Sequence, residues 1–174
     1  MDKGKILIAY YSRAGSNYVG GDIVNLEVGN TEVAAQTIQK LTGAAVHKID
    51  TLKKYPVDYH ETTEVSKKEL KQNARPELSS HLEDISGYEV IYLGFPNWWG
   101  TMPMAVFTFL EEHDFSGKTI LPFCTHEGSA MGSSEKDIRR VCPGATVMRG
   151  LPIVGGSVRS AEDRIREWLG LPRR

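Results

Sequence analysis

Two runs of β-forming residues, ILIAYY at 6–11 and VIYLGF at 90–95, contain no charged side chain and no alternation of apolar with polar residues. A strand that alternates has one wet face, whereas a continuous run is buried on both. Burial on both faces calls for a parallel sheet covered by helices. Three further strands read at Ala45–Ile49, Thr119–Cys124 and Ala145–Met148. Helical spacing falls between and after them. Ala34, Ile38 and Leu41 recur at i, i+4 and i+7. Ile138, Val141 and Cys142 follow SSEKD, where Ser134 and Asp137 have capping-box-like spacing. Val158, Ala161, Ile165, Trp168 and Leu169 mark a last amphipathic helix. Strand and helix alternate five times, which predicts an α/β fold with a parallel sheet. The 174 residues suit one domain spanning 1–174.

Three segments break the rhythm. VGGDIVNLEV, within residues 16–29, places a Gly-Gly turn between short alternating segments and predicts a small hairpin inserted after the first strand. Residues 51–81 form a long polar connection in which ETTEVSKKELKQN predicts a charged surface helix. Pro122 interrupts a strand expected to be central, a position that proline normally avoids.

Composition excludes several classes of function. With 21 basic and 22 acidic residues the net charge is −1, and no basic stretch stands out to neutralise a nucleic-acid backbone. Cys124 and Cys142 form no CxxC or metal-type spacing, so reduced cytoplasmic thiols are expected, and no metal site. The apolar run near the N-terminus is too short for a membrane span or a signal core.

In a parallel sheet, ligands gather outside the carboxyl ends of the strands where the strand order reverses. Three loops therefore carry the chemistry. After the first strand come Ser12, Arg13, Ala14, Gly15, Ser16 and Asn17, and, past the hairpin, Gly29, Asn30 and Thr31 open a helix. Free N–H groups and the helix dipole favour an anion there, with the Ser12 and Thr31 hydroxyls as donors. The alternative is that Asn30 is only an N-cap and Ser12 a turn residue. After the third strand come Pro96, Asn97, Trp98, Trp99 and Gly100. Adjacent tryptophans in a loop offer an indole face to a planar ligand, or else one sits in the core and one in an interface. After the fourth strand come Thr125, His126, Glu127, Gly128 and Ser129, a polar edge in which His126 serves either acid–base work or binding to a ring edge. A phosphate cradle, an aromatic plate and a polar edge at one end of a sheet fit FMN.

The chain resembles the flavodoxin-like family over nearly its whole length, from ILIAYYS to IREWLG. The likeness is to flavodoxin and to the NAD(P)H-quinone reductase branch, with an insertion after the phosphate loop. It implies a three-layer α/β/α sandwich with strand order 2-1-3-4-5. The family signature, roughly S-x-T-G-N-T, is split here into Ser12–Asn17 and Gly29-Asn30-Thr31. Ala14 stands where a hydroxyl residue is usual, so Arg13, Ser16 or Asn17 is expected to compensate. The resemblance carries flavin contacts onto residues 96–100 and 125–129. The tyrosine that often covers the outer flavin face is not evident, which leaves that face open. The implied function is an FMN-dependent oxidoreductase passing electrons from NAD(P)H to a small acceptor such as a quinone. The alternative is an electron-transfer carrier docking to protein partners. Carriers of this family are strongly acidic, a feature absent at −1. Tyr55, Tyr59 and Glu61 are the expected walls of a substrate pocket. A receiver-like module would need acidic residues after the first strand, and YYSRAG supplies none.

Overall fold

The computed structural model describes residues 5–174. Strand β1 (Ile6–Tyr11) is followed by the hairpin β2 (Gly15–Val19) and β3 (Asp22–Leu26), then helix α1 (Asn30–Thr42) and β4 (Ala45–Ile49). Next come α2 (Tyr59–Lys71), β5 (Val90–Pro96), α3 (Met104–Glu112), β6 (Thr119–His126) and α4 (Ser134–Val141). The chain ends with β7 (Thr146–Val147), β8 (Leu151–Val154), a 3-10 segment (Gly155–Ser160) and α5 (Glu162–Trp168). The main sheet runs β4-β1-β5-β6-β7, with β8 also on β6, and all its pairings are parallel. That is the expected 2-1-3-4-5 order.

The continuous apolar runs occupy the centre because successive side chains serve opposite faces. Ile6, Ile8 and Tyr10 of β1 pack with Ala34, Ile38 and Ile165, on the side of α1 and α5. Leu7, Ala9 and Tyr11 pack with Val106, Phe109 and Ile138, on the side of α3 and α4. The Gly-Gly turn forms as the sequence predicts, with Gly20 and Gly21 at φ of 62° and 95° between the hairpin strands. The charged surface helix is α2. Asp58 caps it by accepting Glu61 N at 2.9 Å.

Two expectations are corrected. The fifth strand is not a single Ala145–Met148 segment but two pieces, β7 and β8, broken at residues 148–150. Pro122 explains the break. Met148 N donates to Ile120 O at 2.9 Å, so by strand alternation the N–H that Pro122 lacks would also have faced this neighbour. The chain steps away there, and Gly150 N bonds Glu135 Oε2 instead, at 2.9 Å. The capping box of α4 is also absent. Ser134 lies inside the helix and donates to Met131 O at 2.6 Å, while Asp137 accepts from Thr101 Oγ1 and Ser133 Oγ at 2.6 and 3.1 Å.

Candidate functional site

A cleft of about 340 Å³ opens at the carboxyl ends of β1, β5 and β6. It lies within the size range of small-molecule sites. Of the residues expected from the sequence, Ser12, Arg13, Asn17, Asn30, Thr31, Pro96, Asn97, Trp98, Trp99, Gly100, Thr125, His126, Glu127, Ser129 and Tyr59 line it. Ala14, Gly15, Ser16, Gly29, Gly128, Tyr55 and Glu61 do not. Tyr55 packs edge-on against Trp98 at 5.2 Å and donates to Glu69 Oε1 at 2.7 Å. Glu61 sits in the first, exposed turn of α2.

One end of the cleft is built by α1. Its N-cap, Gly29, supplies no side-chain cap, and Ser12 Oγ reaches across to accept Glu32 N at 3.1 Å. Among the described residues the Asn30 and Thr31 N–H groups have no partner, as expected of a helix's first turn. The buried Thr31 hydroxyl lies 2.7 Å from that of Thr125, which joins the first loop to the third.

The second loop is a tight turn. Trp98 and Thr101 exchange backbone hydrogen bonds of 2.8 and 3.3 Å around Trp99 and Gly100, at φ of 57° and 86°. Two successive left-handed residues are the mark of a type I′ turn, tolerable for Gly100 and strained for a tryptophan. Asn97 fixes the turn, accepting Gly100 N through Oδ1 and donating Nδ2 to Ala130 O, each at 2.9 Å. The tryptophans consequently diverge. Trp98 packs inward against Tyr11 and Tyr55. Trp99 turns outward, 48 % exposed, and its indole N–H reaches Ser66 Oγ at 3.0 Å and Thr63 O at 3.2 Å.

The outer wall was only partly legible in the sequence. Besides Tyr59, helix α2 contributes Thr62, Thr63 and Ser66, and the hairpin contributes Tyr18. Tyr18 and Tyr59 stack with ring centroids 6.2 Å apart, joining hairpin to helix. Burial, with the Tyr18 phenol and Glu127 nearby, pushes the Tyr59 phenol up, so it stays protonated. Arg13 holds this wall. Its guanidinium donates to Pro56 O and Val57 O at 3.0 Å, to Thr62 Oγ1 at 3.1 Å and to Ser16 O. It is therefore a clamp between the first loop and α2, with Nη1 and Nη2 engaged by the protein, while it also lines the cleft. Glu127 ties down the hairpin tip by accepting Gly20 N at 3.0 Å. His126 Nδ1 accepts Gly128 N at 2.9 Å, and burial lowers the imidazole's pKa, so the neutral ring carries its proton on Nε2.

Among the described residues no three His, Cys, Asp or Glu side chains gather as a metal site, and no helix is long and apolar enough to cross a membrane. No curated protein matches the chain. Among solved structures, a flavoprotein from Bacteroides uniformis is 30 % identical, with a TM-score of 0.74 over 97 % of this chain and 99 % of that one. A flavoprotein from Bacteroides eggerthii is 26 % identical, with a TM-score of 0.72 over 97 % and 99 %. A flavoprotein from Lactobacillus acidophilus in complex with FMN is 19 % identical, with a TM-score of 0.66 over 90 % and 97 %. The family model for flavodoxin matches residues 5–171, so a parallel sheet with three convergent loops at its carboxyl edge comes with a family: the chain belongs to the flavodoxins.

Proposed function

We propose that this protein is an FMN-dependent oxidoreductase that passes electrons from NAD(P)H to a small acceptor such as a quinone. FMN is the cofactor of the family, and the Lactobacillus acidophilus flavoprotein is solved with it. The cleft suits that group. Unpartnered first-turn N–H groups of α1 and the Ser12 and Thr31 hydroxyls form an anion seat at one end, and two indoles flank the other. When bound, FMN supplies reversible acceptance of a hydride or of single electrons.

The chain's own residues seat, orient and enclose. Ser12, Asn30 and Thr31 would hold the phosphate, the turn at residues 97–100 would position the ring, and Thr125 to Ser129 would meet its edge. The observation that carries the oxidoreductase reading is the outer wall: α2 and the hairpin, joined by the Tyr18–Tyr59 stack and the Arg13 clamp, turn the loop edge into a walled cleft. A carrier needs an exposed flavin edge and a charged docking face. A pocket for a small acceptor needs walls that exclude water.

The test is steady-state oxidation of NADH and NADPH by the FMN-loaded protein with a small quinone, at rising salt. Turnover with weak salt dependence is expected. A yellow protein inert with both nucleotides, yet reduced by a flavodoxin reductase with steep salt dependence, would be a carrier. Tyr59→Ala should lower turnover while FMN stays bound, because it opens the wall away from the phosphate seat. Thr31→Val should weaken FMN by roughly 1–3 kcal/mol, through a lost hydrogen bond to the phosphate and an orphaned Thr125 hydroxyl. Equal losses for FMN and riboflavin would show that Thr31 is no phosphate ligand.

A further inference from the structure

A second cavity, about 330 Å³, lies on the other side of the loop that follows β1 and shares Ser12 and Arg13 with the cleft. It opens at the carboxyl ends of β1 and its neighbour β4, bounded by Tyr11, Asp50, Lys54 and Tyr55 among others. Tyr11 is only 3 % exposed, and its ring packs edge-on against Tyr55 and Trp98. Its hydroxyl nevertheless makes no hydrogen bond with any described residue. The residue is buried but its hydroxyl oxygen is not sealed from solvent, so it is available to a ligand in the cavity that Tyr11 lines.

Asp50 follows directly on β4. Its Oδ1 accepts Thr51 N and its Oδ2 accepts Lys54 Nζ, both at 2.9 Å, which leaves acceptor capacity on each oxygen. The position is informative. In doubly wound parallel sheets that bind dinucleotides, an acidic residue beyond the strand beside β1 accepts the ribose hydroxyls, next to the loop that ends β1. Asp50 occupies that place in this sheet, and the Tyr11 phenol lines the same cavity.

We infer that the second cavity is a nucleoside site, in which Asp50 and the Tyr11 hydroxyl hold the vicinal diol of a ribose. Resting on the oxidoreductase reading, the ribose belongs to the adenosine half of the pyridine dinucleotide donor. A dinucleotide crossing the shared Ser12–Arg13 wall reaches the cleft with its nicotinamide half. Lys54, on the rim and among the described residues paired only with Asp50, is placed for a phosphate oxygen.

AMP is the probe, titrated into FMN-loaded protein and followed by calorimetry and by competition with NADH. AMP should bind without displacing FMN and should raise the KM for NADH without changing kcat. Removing the 2′-hydroxyl (2′-deoxy-AMP), or making Tyr11→Phe or Asp50→Asn, should each weaken binding by about tenfold while FMN affinity stays unchanged. Tyr11→Phe keeps the ring and its packing, so a loss reports the hydroxyl. AMP binding undiminished in both variants, or AMP displacing FMN, overturns the site. AMP binding through Tyr11 and Asp50 that leaves the KM for NADH untouched overturns the assignment to the donor and identifies a free-nucleotide site. A protein that binds AMP in this way but oxidises neither NADH nor NADPH refutes the oxidoreductase reading while the nucleoside site stands.

Discussion

Gly29→Ala is expected to remove most of the affinity for FMN. The backbone at Gly29, φ −62° and ψ 151°, suits alanine, so only space is at issue. An added Cβ would lie 2.2 Å from Ser12 Oγ and, more seriously, 2.7 and 2.9 Å from the carbonyl oxygen and carbon of Arg13. Rotating a side chain cannot relieve contacts with backbone. The first loop must lift from the start of α1, which breaks the Ser12–Glu32 bond and spreads the phosphate seat. Overpacking of this kind costs on the order of 1–3 kcal/mol, up to about a hundredfold in affinity. Fluorescence titration should show a smaller loss for riboflavin, which has no phosphate. Gly87→Ala, whose Cβ would meet nothing within 4 Å, is the neutral control. Unchanged FMN affinity in Gly29→Ala would mean that the Ser12 loop takes no part in holding the phosphate.

The second large effect is on stability. Gly94 lies in β5, and a Cβ there would fall 2.2, 2.4 and 2.9 Å from three atoms of the Phe123 ring. That ring is fully buried and packs against Trp168, at 6.2 Å between centroids, so it has nowhere to retreat. Gly94→Ala should cost about 3 kcal/mol and lower the melting temperature of the apoprotein by about 10 °C. Apoprotein is the right material, because cofactor bound only to the folded state would mask the loss. Trimming the ring with Phe123→Leu should recover part of it, giving a double variant more stable than the two single changes predict by addition. A Gly94→Ala apoprotein that melts with the wild type would mean that the β5–β6 packing tolerates the methyl group.

The elements legible in the sequence are those whose cause is local. ILIAYY reads as a central strand because each of its residues is buried, three to one face and three to the other. The hairpin reads from Gly20-Gly21 because a two-residue turn demands left-handed backbone there. The three ligand loops read from residue type and from their place after apolar strands. What stayed hidden depends on partners distant in sequence. Nothing near Trp99 announces its left-handed conformation, which follows from the Trp98–Thr101 pairing and from Asn97. Arg13 reads only as a candidate phosphate donor, and its clamp on α2 is visible once Pro56, Val57 and Thr62 are seen to supply acceptors. The threonines and serine of α2 read as a polar helix face, and only its docking over the loops makes them a wall of the cleft.

The split in the fifth strand bears on how the protein behaves in crowded solution. A long, flat strand at the rim of a sheet offers a row of unpaired backbone groups on which another chain can add, the first step of many aggregation routes. Here that rim is made of a two-residue piece and a four-residue piece, separated where Pro122 withholds a donor. Gly150 at the gap is crowded by Met131 and by the Pro122 carbonyl. An incoming strand would meet two short, offset templates, neither long enough to hold it in register. The proline that looked misplaced in a central strand thus guards the strand beside it against recruitment by other copies.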